Sequence, residues 1–97
     1  MRVLLIDDMR NLEADRVART FDDGITALTN EGPWDLLLLD HDLGDFVAGT
    51  ERTGEHVMKF LEESPQYKPG RIQIVSSNPV GRQRMQVIIN KLYKTVF

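Results

Sequence analysis

Three short segments hold residue types that could do chemistry: Asp7-Asp8, Asp40-His41-Asp42, and Ser76-Ser77-Asn78-Pro79-Val80-Gly81-Arg82. Carboxylates that converge in one cleft repel each other, so either some take up protons or a cation sits among them. Donor sets made of oxygen alone suit Mg²⁺ or Mn²⁺, which keep part of their water and share ligation with a substrate phosphate. Asp7, Asp8 and Asp40 are the expected metal ligands. A lone aspartate at a strand end more often caps a helix or ties down a loop. The acidic pair together with Asp-His-Asp is what points to a site. Asp40, His41 and Asp42 are the catalytic candidates, because imidazole and carboxylate side chains can carry protons to and from a reacting oxygen.

The third segment has the makings of an anion site. Free N–H groups at a helix start attract phosphate. Hydroxyls from Ser76 or Ser77, the Asn78 amide and the guanidinium of Arg82 or Arg84 would complete the cradle. The competing reading is that the serines and Asn78 cap the helix while the arginines face solvent. Arg10 follows the acidic pair and either reaches the same cleft as a phosphate ligand or balances Asp7 and Asp8. His56 reads as structural or exposed, and Trp34 and Phe46 as packing residues.

These segments need elements to position them. Val3–Ile6, Leu36–Leu39 and Ile72–Val75 are short, nearly continuous apolar runs, the pattern of strands buried on both faces of a parallel sheet. Arg16–Arg19 is a weaker fourth. Thr20 predicts a cap for a helix over 21–30, and Thr53 for one presenting Val57, Phe60 and Leu61. Asn78-Pro79 predicts a third helix start, with Met85, Ile88, Ile89 and Leu92 on one face. Between Asp8 and Val17 there is room only for a loop or a single turn, and Tyr93–Phe97 is left for a last edge strand. Alternating strands and helices predict an α/β fold with a parallel sheet of about four to five strands and right-handed crossovers. In such sheets ligands bind beyond the carboxyl ends of the strands, where all three polar segments fall. Asp45–Arg52 is expected as a mobile lid over that end.

Composition sets the outer limits. The 97 residues make one domain, 1–97, with 41% hydrophobic and 28% charged residues and a net charge of −3. At this size the core is modest, so stability is expected to be marginal unless a partner or second copy covers some surface. The absence of cysteine excludes disulfides and thiolate metal sites. The apolar run at the N-terminus is too short for a signal peptide or membrane span, so a cytoplasmic location is expected, with no membrane association. Nonspecific nucleic-acid binding is not expected from this charge balance.

Asp7-Asp8 after a first strand and Asp40 after a third resemble the acidic pocket of response-regulator receiver domains. The resemblance is closer to a divergent receiver branch named for cyclic-phosphate processing. It rests on Asp7-Asp8-Met9-Arg10, Leu39-Asp40-His41-Asp42-Leu43-Gly44, Thr53-Gly54 and Asn78-Pro79-Val80-Gly81-Arg82 with Met85 beyond. The resemblance implies a truncated receiver-like (flavodoxin-like) three-layer domain, with Mg²⁺ or Mn²⁺ among the three aspartates. It also implies a phage or bacterial conflict setting. A histidine commonly precedes the Asn-Pro-Val-Gly block in that branch, and Ser76 and Ser77 stand at that place here. Receivers also carry a lysine after a fifth strand, a position that Lys91 and Lys94 match poorly.

Two functions of different class follow as expectations. One is a metal-dependent phosphoesterase acting on a cyclic phosphate, nucleotide-derived or otherwise, with Asp40 as either metal ligand or nucleophile. The other is a non-catalytic module that binds or sequesters a phosphorylated ligand or a protein partner. Phosphoryl transfer to Asp40 in a relay is a third. The expected partner is a small phosphorylated ligand, and a homodimer is left open.

Overall fold

In a computed structural model, which describes residues 1–94, the apolar runs form the strands of one parallel sheet. In chain order the elements are β1 (Val3–Ile6), β2 (Arg16–Ala18), α1 (Phe21–Asn30), β3 (Leu36–Leu39), β4 (Asp45–Val47), β5 (Thr50–Arg52), α2 (Gly54–Glu63), a 3₁₀ turn (Pro65–Tyr67), β6 (Arg71–Ile74) and α3 (Pro79–Leu92). The sheet order is β2-β1-β3-β6, and β4 and β5 form a separate antiparallel hairpin. The α/β architecture is that of a truncated receiver domain, with four parallel strands among the described residues. The expected last strand does not begin at Tyr93, which closes α3. The remainder of that expectation, residues 95–97, lies outside the described residues.

Each helix starts where local chemistry requires it. Thr20 is extended and its hydroxyl accepts from the Asp23 N–H at 3.1 Å. Thr53 opens α2 with a reciprocal capping box, its own N–H donating to His56 Nδ1 at 3.0 Å. That contact gives His56 its structural role. Asn78 caps α3 through its side-chain oxygen, and Pro79 takes the first helical position. Caps of this kind are each worth ~1 kcal/mol.

All three helices lie on one face of the sheet. Leu4 and Ile6 of β1, Leu37 and Leu39 of β3 and Ile72 of β6 share one buried cluster with Leu28 of α1, Val57 and Leu61 of α2, and Met85 and Ile89 of α3. Alternation along the strands turns Val3, Leu5, Val17, Leu36 and Leu38 to the opposite face. No helix covers that face among the described residues, so the three-layer arrangement reduces to a sheet with a single helical layer. The cause is local: the link over residues 7–15 crosses from β1 to β2 without a helix, its Asp15 N–H donating to the Val3 carbonyl at 2.9 Å.

Two further expectations change. Asp45–Arg52 is a hairpin, closed by Ala48 and Gly49 at φ 52° and 80°. Arg52 pins it to α1 through both Asp22 oxygens (3.0 and 2.7 Å) and stacks over the Phe21 ring. Ion pairing therefore ties down the stretch expected to be a mobile lid. Phe46, expected to pack, sits on this hairpin with 66% of its surface exposed. Trp34 does pack, at 4% exposure, and donates its indole N–H to the Ala27 carbonyl at 2.9 Å.

Candidate metal and phosphate site

Ile6 and Leu39 are register partners on adjacent parallel strands, so the next residue of each chain segment leaves the sheet at the same level. Those residues are Asp7 and Asp40. The Asp7 N–H still bonds to the Ala18 carbonyl at 3.1 Å and the Asp40 N–H to the Ile6 carbonyl at 3.0 Å, which fixes both backbones. Both side chains are buried. Ligand oxygens of Asp7, Asp8 and Asp40 all lie within 4.8 Å of one another.

The chain turns sharply after the pair because Asp7 Oδ1 accepts from the N–H groups of Met9 (2.9 Å) and Arg10 (3.0 Å). This turn carries the Arg10 guanidinium over both buried carboxylates, 3.1 Å from Asp7 Oδ2 and 3.3 Å from Asp40 Oδ2. Gly44, in the left-handed region at φ 60°, comes close to Asp8; a β-carbon there would lie 3.2 Å from Asp8 Oδ2.

The two buried acids are driven apart electrostatically. Burial opposes ionisation of Asp7, but the N–H groups of Arg10 and Met9 and then the Arg10 guanidinium outweigh it and hold its pKa below the ordinary value. Burial, and next the charge of Asp7, push the pKa of Asp40 up; the His41 N–H, the Ser76 hydroxyl and Arg10 offset this only in part. An ionised Asp40 beside an ionised Asp7 is thus short of positive charge even with Arg10 present. That is the electrostatic demand a divalent cation would meet, and the all-oxygen donor set suits Mg²⁺ or Mn²⁺.

Asp7, Asp8, Met9, Arg10, Asp40, Asp42 and Ser77 line one pocket of about 360 Å³. The other residues singled out in the sequence lie around or beneath it. Ser76 is buried, its hydroxyl accepting from the Asn78 N–H at 3.0 Å. Asn78 is committed to capping, with Oδ1 accepting from the Gly81 N–H and Nδ2 donating to Asp42 at 3.3 Å. Arg82 turns away from the pocket and donates to the Ser76 carbonyl at 2.8 Å. Arg84 points toward Glu55, 3.8 Å away.

His41 is also outside the pocket lining. Its ring lies against the first turn of α3, where a β-carbon on residue 81 would come 2.4 Å from His41 Cγ; only glycine fits there. Its Nδ1 faces Asp42 Oδ1 at 2.9 Å and its Nε2 faces Glu55 Oε1 at 4.0 Å. With the proton on Nδ1, His41 donates to Asp42 and, helped by Asn78, holds the Asp42 carboxylate below its ordinary pKa. The geometry therefore makes His41 a support for Asp42, whose carboxylate lines the pocket.

Sequence reasoning passed over Met9 and Glu55. Met9 was visible as a large apolar residue set between the acidic pair and Arg10, and it is 79% exposed at the pocket. Nothing near Glu55 in the sequence signals that it faces His41, which requires the packing of α2 beside α3.

A family model for the cyclic-phosphate processing receiver domain matches residues 2–91, and the chain belongs to that family. No curated protein and no solved structure shows a significant match to it. No helix among the described residues is long and apolar enough to cross a membrane.

Proposed function

We propose that this member of the cyclic-phosphate processing receiver family binds a cyclic phosphodiester at the Asp7–Asp8–Asp40 cluster and hydrolyses it to a phosphomonoester. The observation that carries this reading is the set of three carboxylates within 4.8 Å of one another, two of them bridged by Arg10. A divalent cation held by Asp7, Asp8 and Asp40 would supply Lewis-acid stabilisation of the phosphoryl oxygens and lower the pKa of a bound water.

The chain's own residues then have distinct tasks. Arg10 offers N–H donors to phosphate oxygens at the pocket wall, and Ser77 adds a hydroxyl. Asp42, steadied by His41 and Asn78, takes the proton of the attacking water and returns one to the departing oxygen. The water oxygen forms the new P–O bond as one ring P–O bond breaks, leaving a phosphate ester and a free hydroxyl. In the alternative route Asp40 attacks, and the resulting aspartyl-phosphate is hydrolysed in a second step. Covalent phosphate on Asp40 distinguishes the two. The setting we propose is cytoplasmic and linked to phage or bacterial conflict, an inference from the family resemblance alone.

One observation favours the sequestering module as a second reading: no histidine lines the pocket among the described residues. Incubation with a panel of cyclic phosphates and Mg²⁺ or Mn²⁺, followed by phosphorus NMR, separates the two. The phosphoesterase reading predicts conversion that disappears on chelation and in Asp42→Asn. A compound retained by the protein and recovered intact would sink hydrolysis and leave sequestration.

A further inference from the structure

One guanidinium nitrogen serves two buried acids at once. Arg10 Nη1 lies 3.1 Å from Asp7 Oδ2 and 3.3 Å from Asp40 Oδ2, so it bridges two of the three carboxylates in the cluster. In each acid the other oxygen is already engaged by main chain. Asp7 Oδ1 accepts from the Met9 and Arg10 N–H groups, and Asp40 Oδ1 accepts from the His41 N–H at 2.8 Å. A cation and Arg10 therefore draw on the same pair, Asp7 Oδ2 and Asp40 Oδ2. Mg²⁺ takes its oxygens at about 2.0–2.1 Å in strict octahedral geometry. A guanidinium held to the same two oxygens would stand against it as a like charge at close range.

The backbone around Arg10 is held independently of this bridge. Besides the turn on Asp7 Oδ1, Arg19, just past β2, donates to the Asp7 and Arg10 carbonyls at 3.2 and 2.7 Å and to Asn11 Oδ1 at 2.7 Å. The Arg10 side chain can thus leave the acids while its main chain stays in place. It has room to do so, being 36% exposed, and it lines the same pocket as Asp42 and Ser77.

We propose that Arg10 gives up its bridge between Asp7 and Asp40 when a divalent cation binds there, and turns its guanidinium to the phosphate of the ligand. This rests on the cation-binding reading of the acidic cluster and adds an order and a coupling to it. While Arg10 is engaged by Asp7 and Asp40, an incoming phosphate meets a wall of carboxylates. Once released, its planar fork faces the phosphate oxygens with both donors free. Coupling between two binding events is reciprocal, so phosphate tightens the cation by the factor that the cation tightens phosphate.

The test follows Arg10 and the cation separately. In the ¹⁵N-labelled domain the Arg10 Nε–H signal is expected to shift as Mg²⁺ is added, while those of Arg16 and Arg52, paired with Asp23 and Asp22, stay in place. Arg10→Met, similar in length and uncharged, is expected to bind Mn²⁺ about tenfold more tightly than the wild type, with free Mn²⁺ counted by electron paramagnetic resonance. Dimethyl phosphate, an unstrained diester, is expected to bind the wild type only when Mg²⁺ is present and to tighten its hold on Mn²⁺. In Arg10→Met that coupling should shrink about tenfold. An Arg10 signal unmoved at saturating Mg²⁺ overturns the exchange and leaves the cation site standing. So does a Mn²⁺ affinity no higher in Arg10→Met, or equal coupling in the two proteins. No uptake of Mn²⁺ by either protein overturns the cation-binding reading, and the exchange with it.

Discussion

Asp40→Asn is expected to raise the melting temperature of the metal-free domain while abolishing its stabilisation by Mg²⁺ or Mn²⁺. Burial and the neighbouring Asp7 push the Asp40 pKa up, so at neutral pH the ionised group costs folding free energy. Asparagine keeps an oxygen to accept the His41 N–H, now 2.8 Å from Asp40 Oδ1, and removes the charge. A gain of a few degrees is in proportion for a domain of this size. The sign with pH follows from the direction of the shift. A folded-state pKa above the ordinary value of 3.8 means that the folded protein binds the proton first. The wild type therefore recovers this stability as pH falls through the folded pKa, fully so below 3.8, and its difference from Asp40→Asn closes over that range. Thermal unfolding of both proteins across pH, with and without Mg²⁺, checks each part. Ligand-linked stabilisation grows as RT ln(1 + [L]/Kd), so millimolar Mg²⁺ should move the wild type and leave the variant still. A variant less stable than the wild type at neutral pH without metal would contradict the electrostatic account.

Gly54→Ala is expected to be strongly destabilising, although alanine ordinarily favours a helix by about 1 kcal/mol over glycine. Gly54 is the first residue of α2, and a β-carbon there would lie 2.0 Å from the Asp40 carbonyl oxygen and 3.0 Å from its carbonyl carbon. The obstacle is main chain, so no rotamer change relieves it. The Gly54 N–H also donates to the His41 carbonyl at 2.8 Å, which locks the helix start against the segment that carries Asp40, His41 and Asp42. Accommodation must move α2 or the end of β3, at a cost of roughly 2–4 kcal/mol, a large share of the stability of a small domain. Urea unfolding should register that loss, while Glu62→Ala on the exposed side of the same helix should remain near the wild type. Divalent-cation binding should be weakened as well in the fraction that remains folded, because accommodating the β-carbon displaces Asp40. Wild-type stability in Gly54→Ala would show that the contact is not as tight as described.

What was legible in the sequence is what short-range chemistry decides. Thr20, Thr53 and Asn78-Pro79 mark helix starts because a cap and its N–H partners lie within three residues of each other. The apolar runs ending in Asp7, Asp40 and Ser76 read as buried strands, and the rule that ligands meet the carboxyl ends of parallel strands brought the acids together in advance. What stayed hidden depends on direction and on distant partners. Ser76 and Ser77 are neighbours, so one is buried beneath Asp40 while the other faces the pocket, and nothing local says which. His41 is drawn aside because Gly81, forty residues on in the chain, leaves a space its ring fills. The hairpin at Asp45–Arg52 closes on Ala-Gly, a weaker turn signal than Asn-Gly, and its hold on α1 comes from Asp22, thirty residues before Arg52, which no local pattern links to it.

The claim on which the account rests is that Asp7, Asp8 and Asp40 together hold a divalent cation beside Arg10. Paramagnetic Mn²⁺, titrated at substoichiometric levels into the ¹⁵N-labelled domain, tests it directly. The account predicts that amide signals of Asp7–Arg10, Asp40–Asp42 and Ser77 broaden first, that excess Mg²⁺ restores them, and that Asp40→Asn shows no such pattern. Broadening centred on the exposed acids of α1 or α2, or an Asp40→Asn spectrum that responds as the wild type does, would contradict it.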